Sequence, residues 1–147
     1  LEDAVVEYVG AKIGNNDEDE RKIVTSLSMG FQMVYTTMSL EAEVNNGGFN
    51  QYFWNSTGAF KNEALEGYKL LGASEHEKII VEAIGIYNQH KDALDQQKAK
   101  GTLKAFSESY KDNPLNKLDN QFYALKEDAS AMRIKFIREH PELFVGQ

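Results

Sequence analysis

The sequence predicts an all-α fold of about seven to nine helices, built as one domain over residues 1–147. Three observations carry this. Apolar residues recur at i, i+3 and i+4 along most of the chain. No segment alternates apolar and polar residues over strand length between turn signals. Gly, Asn and Pro punctuate the chain at helix-length intervals. A length of 147 residues suits a single core that needs no staples.

Leu1, Val5, Val9 and Ile13 share helical spacing, and Gly14-Asn15-Asn16 ends that helix. Asp17-Glu18-Asp19-Glu20 follows; Asp17 as N-cap with Glu20 three residues on reads as a capping box. Acids also suit the positive end of a helix dipole, and that role outweighs an acidic recognition surface. The second helix opens at residue 20, with a break expected near Ser28-Met29-Gly30. Phe31, Val34, Tyr35, Met38 and Ala42 then form a stripe. A helix from Ala59 to Leu71 turns Ala64, Leu65, Tyr68 and Leu71 inward, and Gly72 stops it. Ser74 to Glu77 reads as a second capping box, opening a helix with Ile80, Ala83, Ile84, Tyr87 and Leu94 inward. Thr102 caps a short helix bearing Leu103 and Phe106. Asn113-Pro114 restarts the chain, with Leu115, Leu118, Phe122 and Leu125 inward. Asp128 opens the last helix, which presents Ala129, Met132, Phe136 and Ile137 before Pro141 ends it; Leu143-Phe144 folds back on the core.

The chain is organised around residues 43–58, Glu-Val-Asn-Asn-Gly-Gly-Phe-Asn-Gln-Tyr-Phe-Trp-Asn-Ser-Thr-Gly. Asn45-Asn46-Gly47-Gly48 is a helix stop, and Gly47 is expected in a Gly-permissive conformation. Phe49, Tyr52 and Phe53 fall at i, i+3 and i+4 on the apolar face of a second, short helix. Asn50, Trp54 and Ser56 lie off that stripe; Gln51 and Asn55 share a face of their own. Gly58 reads as the stop.

This stretch resembles the signature of a bacterial family of unknown function whose named representative is a DNA-mimic protein. Glu43, Asn46, Gly47, Gly48, Phe49, Gln51, Tyr52, Phe53, Asn55 and Gly58 carry the likeness. Ala64-Leu65, Leu71-Gly72-Ala73, Asp119 to Phe122 and the closing His140-Pro141-Glu142-Leu143-Phe144 extend it over roughly residues 30–145. The resemblance implies a non-enzymatic protein-interaction domain, whose partner would be a DNA-binding protein such as a transcription factor.

Composition narrows the function classes. The formal charge of −7 argues against direct nucleic-acid binding. Residues 1–50 hold nine acids and three bases, whereas the remaining residues are nearly balanced, so the negative field is an N-terminal property. No cysteine is present, which excludes disulfides and thiolate chemistry and fits a reducing cytoplasm. No apolar run reaches membrane-spanning length, so no membrane partner is expected.

No nucleophile elbow, phosphate-binding Gly loop or metal-ligand spacing occurs, so neither cofactor nor metal is expected. Glu75-His76-Glu77 reads as a solvated helix start rather than a ligand cluster, because neighbouring helix residues point apart. Two candidate surfaces remain. One is the acidic run Asp17, Glu18, Asp19 and Glu20. The other is a polar recess of Glu43, Asn46, Gln51 and Asn55 beside Tyr52 and Trp54. The recess has a structural reading, in which its side chains satisfy backbone groups freed at the helix junction. It also has a functional one, a small-molecule-binding or enzymatic site. Gly47, Gly48, Phe49, Phe53 and Gly58 are assigned structural roles.

Overall fold

Helix α3 (Met29–Trp54) is the element on which α1 (Glu2–Ile13), α2 (Glu20–Ser26) and α4 (Lys61–Leu71) pack. It also contacts α5 (Ser74–Ala99) and α7 (Asn116–Tyr123). The short α6 (Leu103–Glu108) leans on α5, and α8 (Ala129–Glu139) contacts α1 and α4. Short 3₁₀ turns cover Ser56–Phe60 and Pro141–Phe144. This computed structural model describes residues 1–15 and 19–145; among them there are eight α-helices and no strand. The fold is all-α, as the helical periodicity requires. No helix among the described residues is long and apolar enough to cross a membrane.

Two apolar clusters flank α3. Val9, Val24, Phe31, Val34 and Phe60 fill one, with Tyr8 stacked on Phe31 at 4.6 Å. Leu40, Val44, Phe49, Phe53, Ile80, Leu118 and Phe122 fill the other. Phe49, Tyr52 and Phe53 are buried as their spacing demands. Each such side chain removed from water contributes about 1.5–3 kcal/mol.

Inside α3 the Asn-Asn-Gly-Gly run breaks the helix as a kink between two helical stretches. The Gly-only conformation sits at Gly48 (φ 76°, ψ 179°) rather than at Gly47 (φ −155°). Gly47 is constrained by space instead, because a Cβ there would lie 2.1 Å from Gln51 Oε1. Gly58 is not a helix stop. The helix ends at Trp54, and Gly58 lies buried within the following 3₁₀ turn, where a Cβ would lie 2.7 Å from the Tyr52 carbonyl oxygen.

Several local signals yield to tertiary partners. Asp17 lies outside the described residues, and α2 opens at Glu20 with no side-chain cap from Asp19. Leu1 is exposed and precedes its helix rather than joining the stripe. Ser74 sits inside α5 and caps nothing. The Glu127 carboxylate does that work, accepting from the amides of Glu75 at 3.3 Å and His76 at 3.1 Å. Helix α7 begins at Asn116, two residues after Pro114. Asn113 instead folds its Oδ1 onto the Leu115 amide at 2.9 Å, a turn rather than a cap. Thr102, Asp128 and the left-handed Gly72 end or open their helices as expected.

Arg133 is the largest departure from a purely apolar core. It is 1% exposed and pairs both terminal nitrogens with Glu41 at 2.8 Å while its Nε reaches Glu2 at 2.8 Å. Burial alone would lower its basicity, but the two carboxylates outweigh that and raise it. The cluster joins α1, α3 and α8 through one guanidinium.

Candidate binding groove and acidic face

The kink frees backbone groups that need partners. Tyr123 Oη donates to the Val44 carbonyl at 2.6 Å, and Tyr110 Oη donates to the Gly47 carbonyl at 2.8 Å. The Phe49 amide donates to Asp119 Oδ1 at 2.8 Å. Burial pushes the Asp119 carboxyl above the usual carboxylate range, and the Phe49 amide partly offsets this. The structural role read from the sequence for Glu43 and its amides is thus carried by Tyr110, Asp119 and Tyr123 from later in the chain.

Glu43, Gln51 and Asn55 bond to one another instead. Glu43 Oε2 accepts from Gln51 Nε2 at 2.7 Å and from Asn55 Nδ2 at 2.9 Å. These three line a cavity of about 510 Å³ with Ser39, Asn46 and Thr57. Asn46 is exposed at its mouth. Tyr52 does not line the recess. Its ring is core, and its hydroxyl is buried with no hydrogen-bond partner among the described residues. Burial pushes its phenol far above the usual range, with the Glu63 and Glu43 charges adding. Trp54 borders a second cavity of about 500 Å³, packed edge-on against Phe106 at 5.1 Å. That cavity shares Gln51 and Asn55 with the first, so the two adjoin along one surface groove, polar and acidic at one end and aromatic at the other.

A second surface gathers acids from distant parts of the chain. Ser130 Oγ donates to Glu2, which is followed by Asp3. Glu127 and Asp128 lie between α7 and α8, and Glu127 touches the first turn of α5, where Glu75 sits. Glu41, Glu127, Asp128 and Ser130 line a cleft of about 380 Å³, with Lys126 beside them. His76 forms part of its wall and is not solvated: it is 5% exposed, with Nδ1 2.7 Å from Glu127 and its ring stacked on Tyr68. Burial raises the Glu127 carboxyl, but bonds from the His76 ring and the His76 and Glu75 amides outweigh it, and the net shift is downward. Of the acidic run, Asp17 and Glu18 lie outside the described residues. Asp19 is exposed, and Glu20 accepts from Tyr35 at 2.8 Å. No group of three or more His, Cys, Asp or Glu among the described residues is placed to hold a metal ion.

The family model described as DMP19-like protein matches residues 25–140, most of the chain. The chain belongs to this family. No curated protein and no solved structure matches it. The match spans the Asn-Asn-Gly-Gly kink, the groove, and Tyr110, Asp119 and Tyr123 that complete the kink.

Sequence reasoning brought together Glu43, Asn46, Gln51 and Asn55 of this DMP19-like chain from both sides of the break. It missed Phe106 and Lys98, which come from α6 and α5, and the acids of the second surface, which only the fold unites. The i, i+4 spacing of Phe106 and Tyr110, near-perpendicular rings 5.2 Å apart, was the available signal.

Proposed function

We propose that this chain is a non-enzymatic interaction domain that binds a DNA-binding protein, presenting carboxylates where that partner normally meets phosphates. The observation that carries the reading is the gathering of acids around the start of α8, where Glu2 meets Ser130 and Glu127 meets the start of α5, with their neighbours Asp3, Glu75 and Asp128 exposed. DNA recognition draws much of its affinity from Lys and Arg against a dense row of negative charge. A protein face of closely set carboxylates attracts the same side chains. Membership of the DMP19-like family and the resemblance to a DNA mimic support this reading.

The test is titration against a panel of DNA-binding proteins at low and high salt. Binding should weaken steeply with salt, be competed by duplex DNA, and fall on substituting Asp3→Asn, Glu75→Gln and Asp128→Asn together. Asn serves as well as Asp at an N-cap, so the last change keeps α8 closed. Binding that survives these substitutions but fails when Asp17 to Glu20 are neutralised would move the surface to that run. Binding indifferent to salt and to both sets would refute the reading.

A further inference from the structure

We infer that the groove between Glu43 and Trp54 is a receptor for an arginine side chain of a protein partner. This rests on the reading of the chain as an interaction domain whose partner is rich in basic side chains. The backbone groups freed at the kink are satisfied by Tyr123, Tyr110 and Asp119. The polar set of Glu43, Gln51 and Asn55 therefore does not exist to close the helix junction.

Its hydrogen bonding is one-sided. Only an NH₂ group can face a carboxylate, so Gln51 and Asn55 both turn their nitrogens to Glu43 Oε2. Gln51 Oε1 turns against Gly47, while the Asn55 amide oxygen and Glu43 Oε1 are left as acceptors with no donor among the described residues. Thr57 Oγ1, on the same wall, is buried and also has no partner among the described residues. A cavity of about 510 Å³ edged by acceptors and one negative charge selects a cationic guest that carries several donors.

The adjoining cavity decides which cation. Trp54 and Phe106 wall it, and Leu103, 85% exposed, stands at its edge. This suits the aliphatic stem of a long side chain. Lys98 sits at that end, its Nζ 3.3 Å from the Phe53 carbonyl. Its charge keeps a second cation away from the aromatic end and directs the head of the guest to Glu43. A guanidinium presents five donors in a plane and can meet Glu43 and an amide oxygen at once. An ammonium is a compact point charge that holds its water more strongly.

Trp54 is the single tryptophan of the chain, so its emission reports on the groove directly. The experiment titrates the protein with N-acetyl-arginine amide, N-acetyl-lysine amide and N-acetyl-norleucine amide. The arginine compound should change Trp54 emission saturably, the lysine compound should bind several-fold more weakly, and norleucine should give no saturable change. Glu43→Gln should weaken arginine binding by about tenfold or more, the loss expected for a charged hydrogen bond. Phe106→Ala, which leaves the Glu43 set untouched, should weaken the arginine and lysine compounds alike. Circular dichroism confirms that each variant folds. Equal responses to arginine and norleucine, or an arginine response unchanged by Glu43→Gln, would overturn the inference. The same titration on the Asp3→Asn, Glu75→Gln, Asp128→Asn variant separates the two proposals. Arginine binding should persist there even if the acidic face proves to have no partner.

Discussion

Replacing Gly48 with Ala tests the kink that organises α3. Two costs add. Gly48 has φ 76° and ψ 179°, a region that only glycine occupies freely, so a Cβ there costs about 1–3 kcal/mol. The new Cβ would also lie 2.3 Å from Asp119 Oδ2 and 2.7 Å from its Cγ, so the carboxylate must leave. Its departure strands the Phe49 amide, a bond to a charged acceptor worth about 1.5–3 kcal/mol. The sum is a loss of about 2.5–6 kcal/mol, which for a domain of this size lowers the melting temperature by roughly 5–24 °C. Urea unfolding followed by far-ultraviolet circular dichroism measures it. In an Asp119→Ala background the clash is absent, and Gly48→Ala should then cost only the backbone share. Gly85→Ala is the control of opposite sign. Gly85 lies within α5 with open space around its Cβ position, so this change should stabilise by about 0.5–1 kcal/mol. A Gly48→Ala loss under about 1 kcal/mol, or full additivity with Asp119→Ala, would refute this account.

Arg133→Met should destabilise by about 3–5 kcal/mol in urea unfolding, because Glu41 and Glu2 are left without their cation; adding Glu41→Gln and Glu2→Gln should recover part of it. Glu127 has a folded pKa below its unfolded value, so its contribution is present above the ordinary carboxylate range and lost as pH falls through the folded value. The stability gap between the wild type and Glu127→Gln, measured over a pH series, should therefore shrink on acidification; a constant gap would contradict the assignment. Asn50→Leu should cost about 1–3 kcal/mol despite adding apolar surface, since Ser109 and Asn113 lose their buried partner; calorimetry checks it.

The helices were legible because a 3.6-residue apolar period survives any tertiary arrangement, and the break at Asn-Asn-Gly-Gly because backbone freedom is a local property. Asn50 was not legible as core. It is fully buried, yet its partners lie about sixty residues further on. Arg133 was hidden in the same way, between Met132 and residues that read as an ordinary amphipathic helix. The capping box expected at Ser74 failed because a local cap is only one way to satisfy a helix start. At α5 a carboxylate from Glu127 won, pairing with His76 as well as the backbone. The groove was half legible. Glu43, Gln51 and Asn55 fall at intervals of eight and four, close enough to whole turns to share a side across the kink. Its aromatic wall needed α6, whose approach to α3 nothing local encodes.

The guanidinium of Arg133 also sets an order of events during synthesis. Glu2 leaves the ribosome first, and its counter-ion follows 131 residues later. At about 5–20 residues per second, the amino-terminal helix waits on the order of ten seconds for the latch that ties it to Glu41 and α8. Over that interval the packing of Val5, Val9 and Ile13 against α2 and α3 must hold α1 without the ion pair.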